Sequence, residues 1–129
     1  MITVYDVAKW LENDFDFKAN KYVSPTLSMK EEKVFCVQRG QSPSISSRRS
    51  FDVLPIDLYI HWNTDDEETE EKATEVYKTL YRKTNFCIEG QHISFLAINE
   101  GGPINMGKDE ANIYNKLISF DLAVDKNNN

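Results

Sequence analysis

The residues of this chain that could carry out chemistry are its histidines, its cysteines and a dense run of carboxylates. His61 and His92 fall in the strand-like runs FDVLPIDLYIHW and HISFLA, and no motif supplies the acid, base or nucleophile that a catalytic histidine needs. The chain has no Ser-His-Asp order, and the GGP at 101–103 is not followed by the Gly-Lys-Ser of a phosphate-binding loop. A hydrolase that uses either histidine with nearby carboxylates is therefore the least favoured hypothesis.

Patterns typical of metal sites are equally weak. Cys36 and Cys87 lie in the apolar runs VFCV and NFCIEG, and their spacing to the histidines fits no metal site. We expect two buried free thiols, because cytosolic proteins keep thiols reduced, although a disulfide between neighbouring strands stays open. The acidic run TDDEETEE lacks the alternating oxygen ligands and central glycine of a calcium loop. The sequence predicts no metal, no cofactor and no catalytic residue.

The composition indicates an ordinary globular chain. It has 129 residues, of which 40% are hydrophobic and 28% charged, and this predicts one domain over 1–125 with a polar tail over 126–129. The net charge of −6 argues against indiscriminate binding to DNA. No apolar run approaches the roughly 20 residues that span a bilayer, and the N-terminus lacks the features of a signal peptide. Synthesis in the cytoplasm and no membrane partner are therefore expected.

Two helices are predicted from capping signals and apolar periodicity. The first starts at a capping box formed by Thr3 and Asp6 and ends near 13–14, with Trp10 at the edge of the core. Its apolar stripe consists of Val4, Val7, Ala8 and Leu11. The second runs over 64–84, with Thr64 as its cap and Glu67 three residues later. Its inward stripe consists of Ala73, Val76, Tyr77 and Leu80.

The strands come in runs joined by hairpins. Long strands are predicted over 33–39, 51–62, 92–99 and 113–124, with shorter ones over 86–89, 15–18 and 22–23. Pro55 predicts a bulge or an edge within the second of them, because proline cannot donate to the ladder. This order predicts an α+β fold, with a mainly antiparallel sheet, two helices packed on one face and a long β-hairpin loop. The second face would then carry an apolar patch that favours oligomerisation, formed by Tyr59, Leu96, Ile98 and Leu117.

The segment GQSPSISSRRS, over 40–50, is the long hairpin loop of this fold. It is rich in serine and carries Arg48 and Arg49, the main local basic feature of the chain. A loop of this length in a small domain is either functional or merely solvated. The functional alternative is a segment that orders against a neighbouring subunit or approaches a phosphate backbone.

Four segments together resemble a known family of phage proteins. They are the N-terminal ITVYDVAKWLE, the strand FDVLPIDLYIHW, the helix ending in KTLYRKT and the closing GGPINMGKDEANIYNKLISFDLAV. The resemblance covers about 2–124, and its most specific part is the run from Gly102 to Tyr114. With these segments the chain resembles the minor capsid, or tail terminator, proteins of long-tailed (siphovirus-type) bacteriophages.

The resemblance implies a structural protein of the virion, in its tail-neck region. Such a protein would form a homohexameric ring that caps the tail tube and joins it to the head-side connector, while DNA passes through the lumen without specific binding. A head-completion or neck protein that binds the portal side remains the alternative. A hexamer needs two different patches that meet head to tail. The residues predicted to meet a subunit or partner are Arg39, Ile45, Arg48, Arg49, Tyr59, His61, Leu96 and Ile98.

Overall fold

The chain folds into one mixed sheet with two helices, as seen in a computed structural model that describes residues 2–15, 20–21, 32–40, 43, 45–98 and 100–126. The elements in chain order are α1 (Val4–Phe15), β1 (Asn20–Lys21), β2 (Val34–Arg39), β3 (Phe51–His61), α2 (Asp66–Leu80), β4 (Thr84–Ile88), β5 (Gln91–Ala97), β6 (Ile104–Lys108) and β7 (Tyr114–Asp125). The strands predicted over 16–18 and 22–23, and residues 127–129 of the predicted tail, lie outside these ranges. Phe15, predicted to open a strand, ends α1 instead.

The sheet is built around the long antiparallel pair of β3 and β7. Its strand order is β1-β2-β3-β7-β5-β4, and β6 also pairs with β7. The register of β3 on β7 runs unbroken from Phe51 opposite Asp125 to His61 opposite Asn115. The pairing of β1 with β2 is parallel, and the other pairings are antiparallel. The α+β prediction is confirmed, including the hairpin that joins β2 to β3.

One face of the sheet, the helix face, carries the core. Every second residue of β3 from Leu54 to Ile60 is buried there, together with Ile118, Phe120 and Leu122 of β7. These side chains form one cluster with the stripes of both helices, so α1 and α2 pack on the same face. Burial of each leucine or valine of this size contributes about 1.5–3 kcal/mol. Apolar burial therefore decides where the helices lie on the sheet.

The start of α1 has the predicted capping box. The Thr3 N–H donates to Asp6 Oδ2 at 2.8 Å, and the Asp6 N–H donates to Thr3 Oγ1 at 3.3 Å. Trp10 lies at the edge of the core, as expected, and stacks on Phe86 of β4 with ring centroids 5.1 Å apart. The capping box stabilises the start of α1, and the stacked pair holds the middle of the helix against β4.

The start of α2 differs from the prediction by one residue. Asp65, not Thr64, is the cap, since Asp65 Oδ1 accepts from the N–H groups of Glu67 and Glu68 at 2.9 and 3.2 Å. A carboxylate at this position also interacts favourably with the helix dipole, which explains why it displaces the neighbouring hydroxyl. The helix ends at Leu80, earlier than predicted. The backbone is extended at Tyr81 and left-handed at Arg82, so the helix cannot continue.

Two strand features depart from the sequence pattern. The β4–β5 hairpin turns at Glu89 and Gly90, both with positive φ, one residue before the predicted connection. The strand β6 was not predicted, because its residues, INMGK, are short of β-forming side chains. The β3–β7 ladder has no bulge at Pro55, which pairs with Asp121. On its other side β3 has no β2 partner at this position, because the β2 ladder ends opposite Ile56. Of the two predicted alternatives, a bulge or an edge, the structure has the edge.

Candidate functional site

The loop between β2 and β3 is held by backbone hydrogen bonds at both of its ends. Gly40 N–H donates to the Pro55 carbonyl at 2.9 Å, and Arg48 N–H donates to the Phe51 carbonyl at 2.9 Å. Lys126 N–H donates to the Ser50 carbonyl at 3.0 Å, which ties the loop to the end of β7. These bonds hold the described part of the loop in one place beside the sheet.

Three exposed arginines lie in this loop or next to it, and one of them, Arg39, pairs with Ile56 halfway along β3. Arg39 ends β2, and Arg48 and Arg49 lie in the second half of the loop. Within the described part of the chain, none of the three guanidinium groups has a carboxylate within ion-pair distance. We call residues 45–50, which carry Arg48 and Arg49 and lie directly before β3, the arginine loop. Its remaining predicted contact residue, Ile45, is half-buried. Ile45, Arg48 and Arg49 therefore lie together in the arginine loop, whereas Arg39 lies at the end of β2, opposite Ile56.

The opposite end of the sheet is acidic. We call the first two turns of α2 and its cap the acidic turn; its exposed carboxylates are Asp65, Asp66, Glu67, Glu68, Glu70 and Glu71. The buried Lys116 of β7 reaches out from the sheet, with its Nζ 3.1 Å from Asp66 and 3.3 Å from Glu70. Among the described residues, the other four carboxylates of the acidic turn have no ion-pair partner.

The second face of the sheet carries a partly exposed apolar row. Cross-strand pairing aligns Tyr59 of β3, Leu117 of β7 and Ile104 of β6 side by side. Tyr59 and Leu117 are half-buried, while Ile104 is 36% exposed and Met106 of the same strand 48% exposed. Tyr59 and Leu117 thus lie on the predicted face. Ile104 and Met106 are absent from the prediction, because the sequence pattern indicates no strand over 104–108.

His61 is not a surface residue, contrary to the prediction. It is fully buried, and its Nδ1 lies 2.8 Å from Asn115 Oδ1 and 3.6 Å from Asp109 Oδ2. Asp109 in turn accepts from the N–H groups of Ala111 and Ile113, so the cluster holds the β6–β7 turn against the end of β3. A polar residue at the end of a strand looks exposed in the sequence, since the turn that contacts it lies 48 residues further along the chain. His61 therefore stabilises the fold and presents nothing to a partner.

Leu96 and Ile98 are also misplaced in the sequence prediction. The ladder between β5 and β7 shifts between Ile93 and Phe95, and beyond this bulge Leu96 pairs with Leu122 on the helix face. Leu96 is 3% exposed, and Ile98, past the end of β5, packs against the same core. A one-residue irregularity moves following side chains to the other face, so the alternation read from the sequence fails here.

A second polar cluster joins β5 to the end of β7. The Ser94 hydroxyl donates to Asp125 Oδ1, and His92 Nδ1 lies 2.5 Å from Asp125 Oδ2. The hydrogen bond from Ser94, and then that from His92, lowers the pKa of the Asp125 carboxyl below its ordinary value. Both side chains reach Asp125 although the ladder is irregular between Ile93 and Phe95, so alternation along β5 alone does not predict this pairing.

The arrangement of this cluster differs from that of a nucleophilic triad. In such a triad the histidine lies between serine and aspartate and takes the hydroxyl proton. Here the carboxylate of Asp125 lies in the middle, and the Ser94 hydroxyl contacts the acid and not the imidazole. The base that contacts the hydroxyl is therefore a carboxylate whose pKa is lowered, which makes it a weak acceptor of the hydroxyl proton. The arrangement is suited to tying β5 to β7.

The thiols and the metal ligands give no further site in the part of the chain that the structure describes. Both cysteines are free; Cys36 is buried as predicted, but Cys87 is exposed because it lies on β4 at the edge of the sheet. Among those residues no three histidine, cysteine, aspartate or glutamate side chains are arranged so that they could hold a metal ion. None of the described helices combines the length and the apolar character needed to cross a membrane.

Comparisons of this chain with protein-family models, with curated proteins and with solved structures found no match.

Proposed function

We propose that this chain is a structural protein of a long-tailed phage virion, a tail terminator that forms a ring on the tail tube. The ring, a hexamer by the resemblance of the sequence, stops growth of the tube and presents a surface to the head-side connector. DNA passes through its lumen without specific binding. The protein acts through its surfaces, with no catalytic residue, no cofactor and no membrane partner, in the neck region of the virion.

The observation that carries this proposal is the arginine loop. Arg48 and Arg49 are exposed on a segment whose backbone is already fixed by hydrogen bonds, and no described carboxylate of the same chain pairs with them. A preordered surface loses little conformational entropy when it meets a partner, so such a loop is suited to binding. The partly exposed row of Tyr59, Leu117 and Ile104 adds apolar area on the second face.

The charge of the chain is compatible with passage of DNA through the ring. The net charge of −6 repels phosphates on average, and this lets a duplex slide instead of binding to the lumen wall. Binding energy between the subunits then has to come from contacts within the ring, not from nucleic acid.

The proposal is tested by mixing the purified protein with tail tubes and, separately, with DNA-filled heads that lack tails. Negative-stain electron microscopy should show a ring at one end of each tube, and tubes incubated with tube protein should no longer elongate at that end. Decoration of the head vertex and bare tubes would instead identify the neck protein that binds the portal side. If neither particle acquires the protein, the proposed function is wrong.

A further inference from the structure

Charge is separated along the strand direction of this molecule. The arginine loop lies where β3 begins, and the acidic turn follows directly after β3 ends. An antiparallel strand rises about 3.4 Å per residue, so the eleven residues of β3 hold the two patches roughly 34 Å apart. At physiological ionic strength charges are screened over about 8 Å, so the two patches of one chain cannot neutralise each other.

We infer that the arginine loop of one copy binds the acidic turn of a second copy, head to tail. This inference rests on the proposed function and names the contact that would build its ring. Two different patches that meet make a heterologous interface, which repeats from copy to copy and closes into a ring when the rotation allows. A contact between identical patches would place arginines against arginines and is opposed by charge repulsion.

The chemistry of both patches fits such a contact. Arginine presents a planar fork of donors that binds a carboxylate through two hydrogen bonds. Arg48 and Arg49 stand on fixed backbone, and the facing helix is equally rigid, so little flexibility is lost in pairing. The exposed carboxylates best placed to accept are Glu67 and Glu71, because they make no ion pair with a described residue and lie one helical turn apart.

Apolar side chains accompany the charges on both sides. Exposed ion pairs alone contribute little to binding, so a stable contact needs apolar area as well. The half-buried Ile45 lies within the arginine loop. At the other end, Lys116 Nζ contacts both Asp66 and Asn105, which places Asn105 of β6 beside the acidic turn. The exposed Met106 is the next residue of this strand.

A second copy explains this surface better than nucleic acid does. The arginine loop is complementary to a patch that every copy of the chain carries, whereas the chain as a whole is acidic and repels phosphate. Binding of the loop to DNA is therefore an alternative outcome of the test, and it would overturn the inference.

A charge-swap experiment tests the contact. Variant A carries Arg48→Glu and Arg49→Glu, and variant B carries Glu67→Lys and Glu71→Lys; neither change touches a residue that pairs with Lys116. In sedimentation velocity the wild-type chain should self-associate, and each variant alone should show a dissociation constant raised by at least about tenfold, since like charges then face each other. An equimolar mixture of A and B should recover association, because every contact between unlike copies is again attractive.

A matched control separates the contact from net charge. Lys9→Glu with Lys78→Glu changes the net charge as variant A does, at exposed helix positions outside both patches, and should leave association unchanged. The inference is overturned if the wild-type chain stays monomeric, if A and B associate like wild type, if their mixture gains nothing, or if A loses only DNA binding. Capping of tail tubes by the wild type is scored separately, so the proposed function can stand while this contact fails.

Discussion

Truncation of Leu58 to alanine should cost far more stability than the same truncation of Leu117. The two leucines lie on neighbouring strands, β3 and β7, one residue out of register, and they point to opposite faces of the sheet. Leu58 is fully buried on the helix face between Val37 and Ile118, whereas Leu117 is half-buried on the second face. Because the chemical change is identical, the difference in lost stability between the two variants measures how much more deeply the helix face is buried than the second face.

The magnitudes follow from burial. Removing three buried carbons from Leu58 costs about 2.4 kcal/mol at roughly 0.8 kcal/mol for each carbon returned to water. The cavity left between packed neighbours raises the total to about 3–5 kcal/mol. At Leu117 only part of the side chain is buried and water can enter the space, so about 1 kcal/mol is expected.

Equilibrium unfolding in urea, followed by tryptophan fluorescence and by circular dichroism at a low protein concentration, gives both values. The midpoint of Leu58→Ala should fall steeply at an unchanged slope, and that of Leu117→Ala should move little. Equal losses at the two positions would refute the assignment of the core to the helix face.

Three further outcomes are expected. Asp65→Ala should lower the free energy of unfolding by about 1 kcal/mol through loss of the α2 cap, whereas Thr64→Ala should leave it nearly unchanged; the reverse order in urea melts would restore Thr64 as the cap. In the native state Cys87 should react with a thiol reagent at once and Cys36 only after unfolding, and equal rates would contradict their placement. Because its hydrogen bonds lower the pKa of Asp125 in the folded state, its carboxylate stabilises the fold above the ordinary pKa near 3.8, and this stabilisation is lost as the pH falls through the lower folded-state value. Asp125→Asn should therefore flatten the acid end of the stability–pH profile, and an unchanged profile would speak against the pairing.

The helices and strands whose apolar residues follow one clear periodicity were predictable from the sequence. The stripe of α1 and its capping box follow from spacing alone, and so does the alternation of β7, with Ile118, Phe120 and Leu122 on the core face. In these elements local preference and tertiary packing favour the same structure. The overall α+β arrangement then follows, because one apolar face of the sheet and two apolar helix stripes have to cover each other.

The errors occur where tertiary contacts decide. The strand β5 is apolar on both faces, so its pattern gives no sign of the bulge that turns Leu96 to the core. His61 is buried by a turn distant in sequence, and the position of Cys87 on an edge strand depends on the strand order. The arginine loop was found because a charged loop between two strands differs in composition from everything around it. The acidic turn was recognised as the start of a helix, but its distance from the arginines along β3 needed the topology.

We propose that copies of this chain bind one another head to tail and form a ring. Electron microscopy of the purified wild-type protein beside variant A, variant B and their equimolar mixture tests it most directly, with subunits counted in class averages. We expect closed rings for the wild type and for the mixture, and none for either variant alone. Rings of variant A alone, or a wild-type sample of single particles the size of one chain, would contradict it.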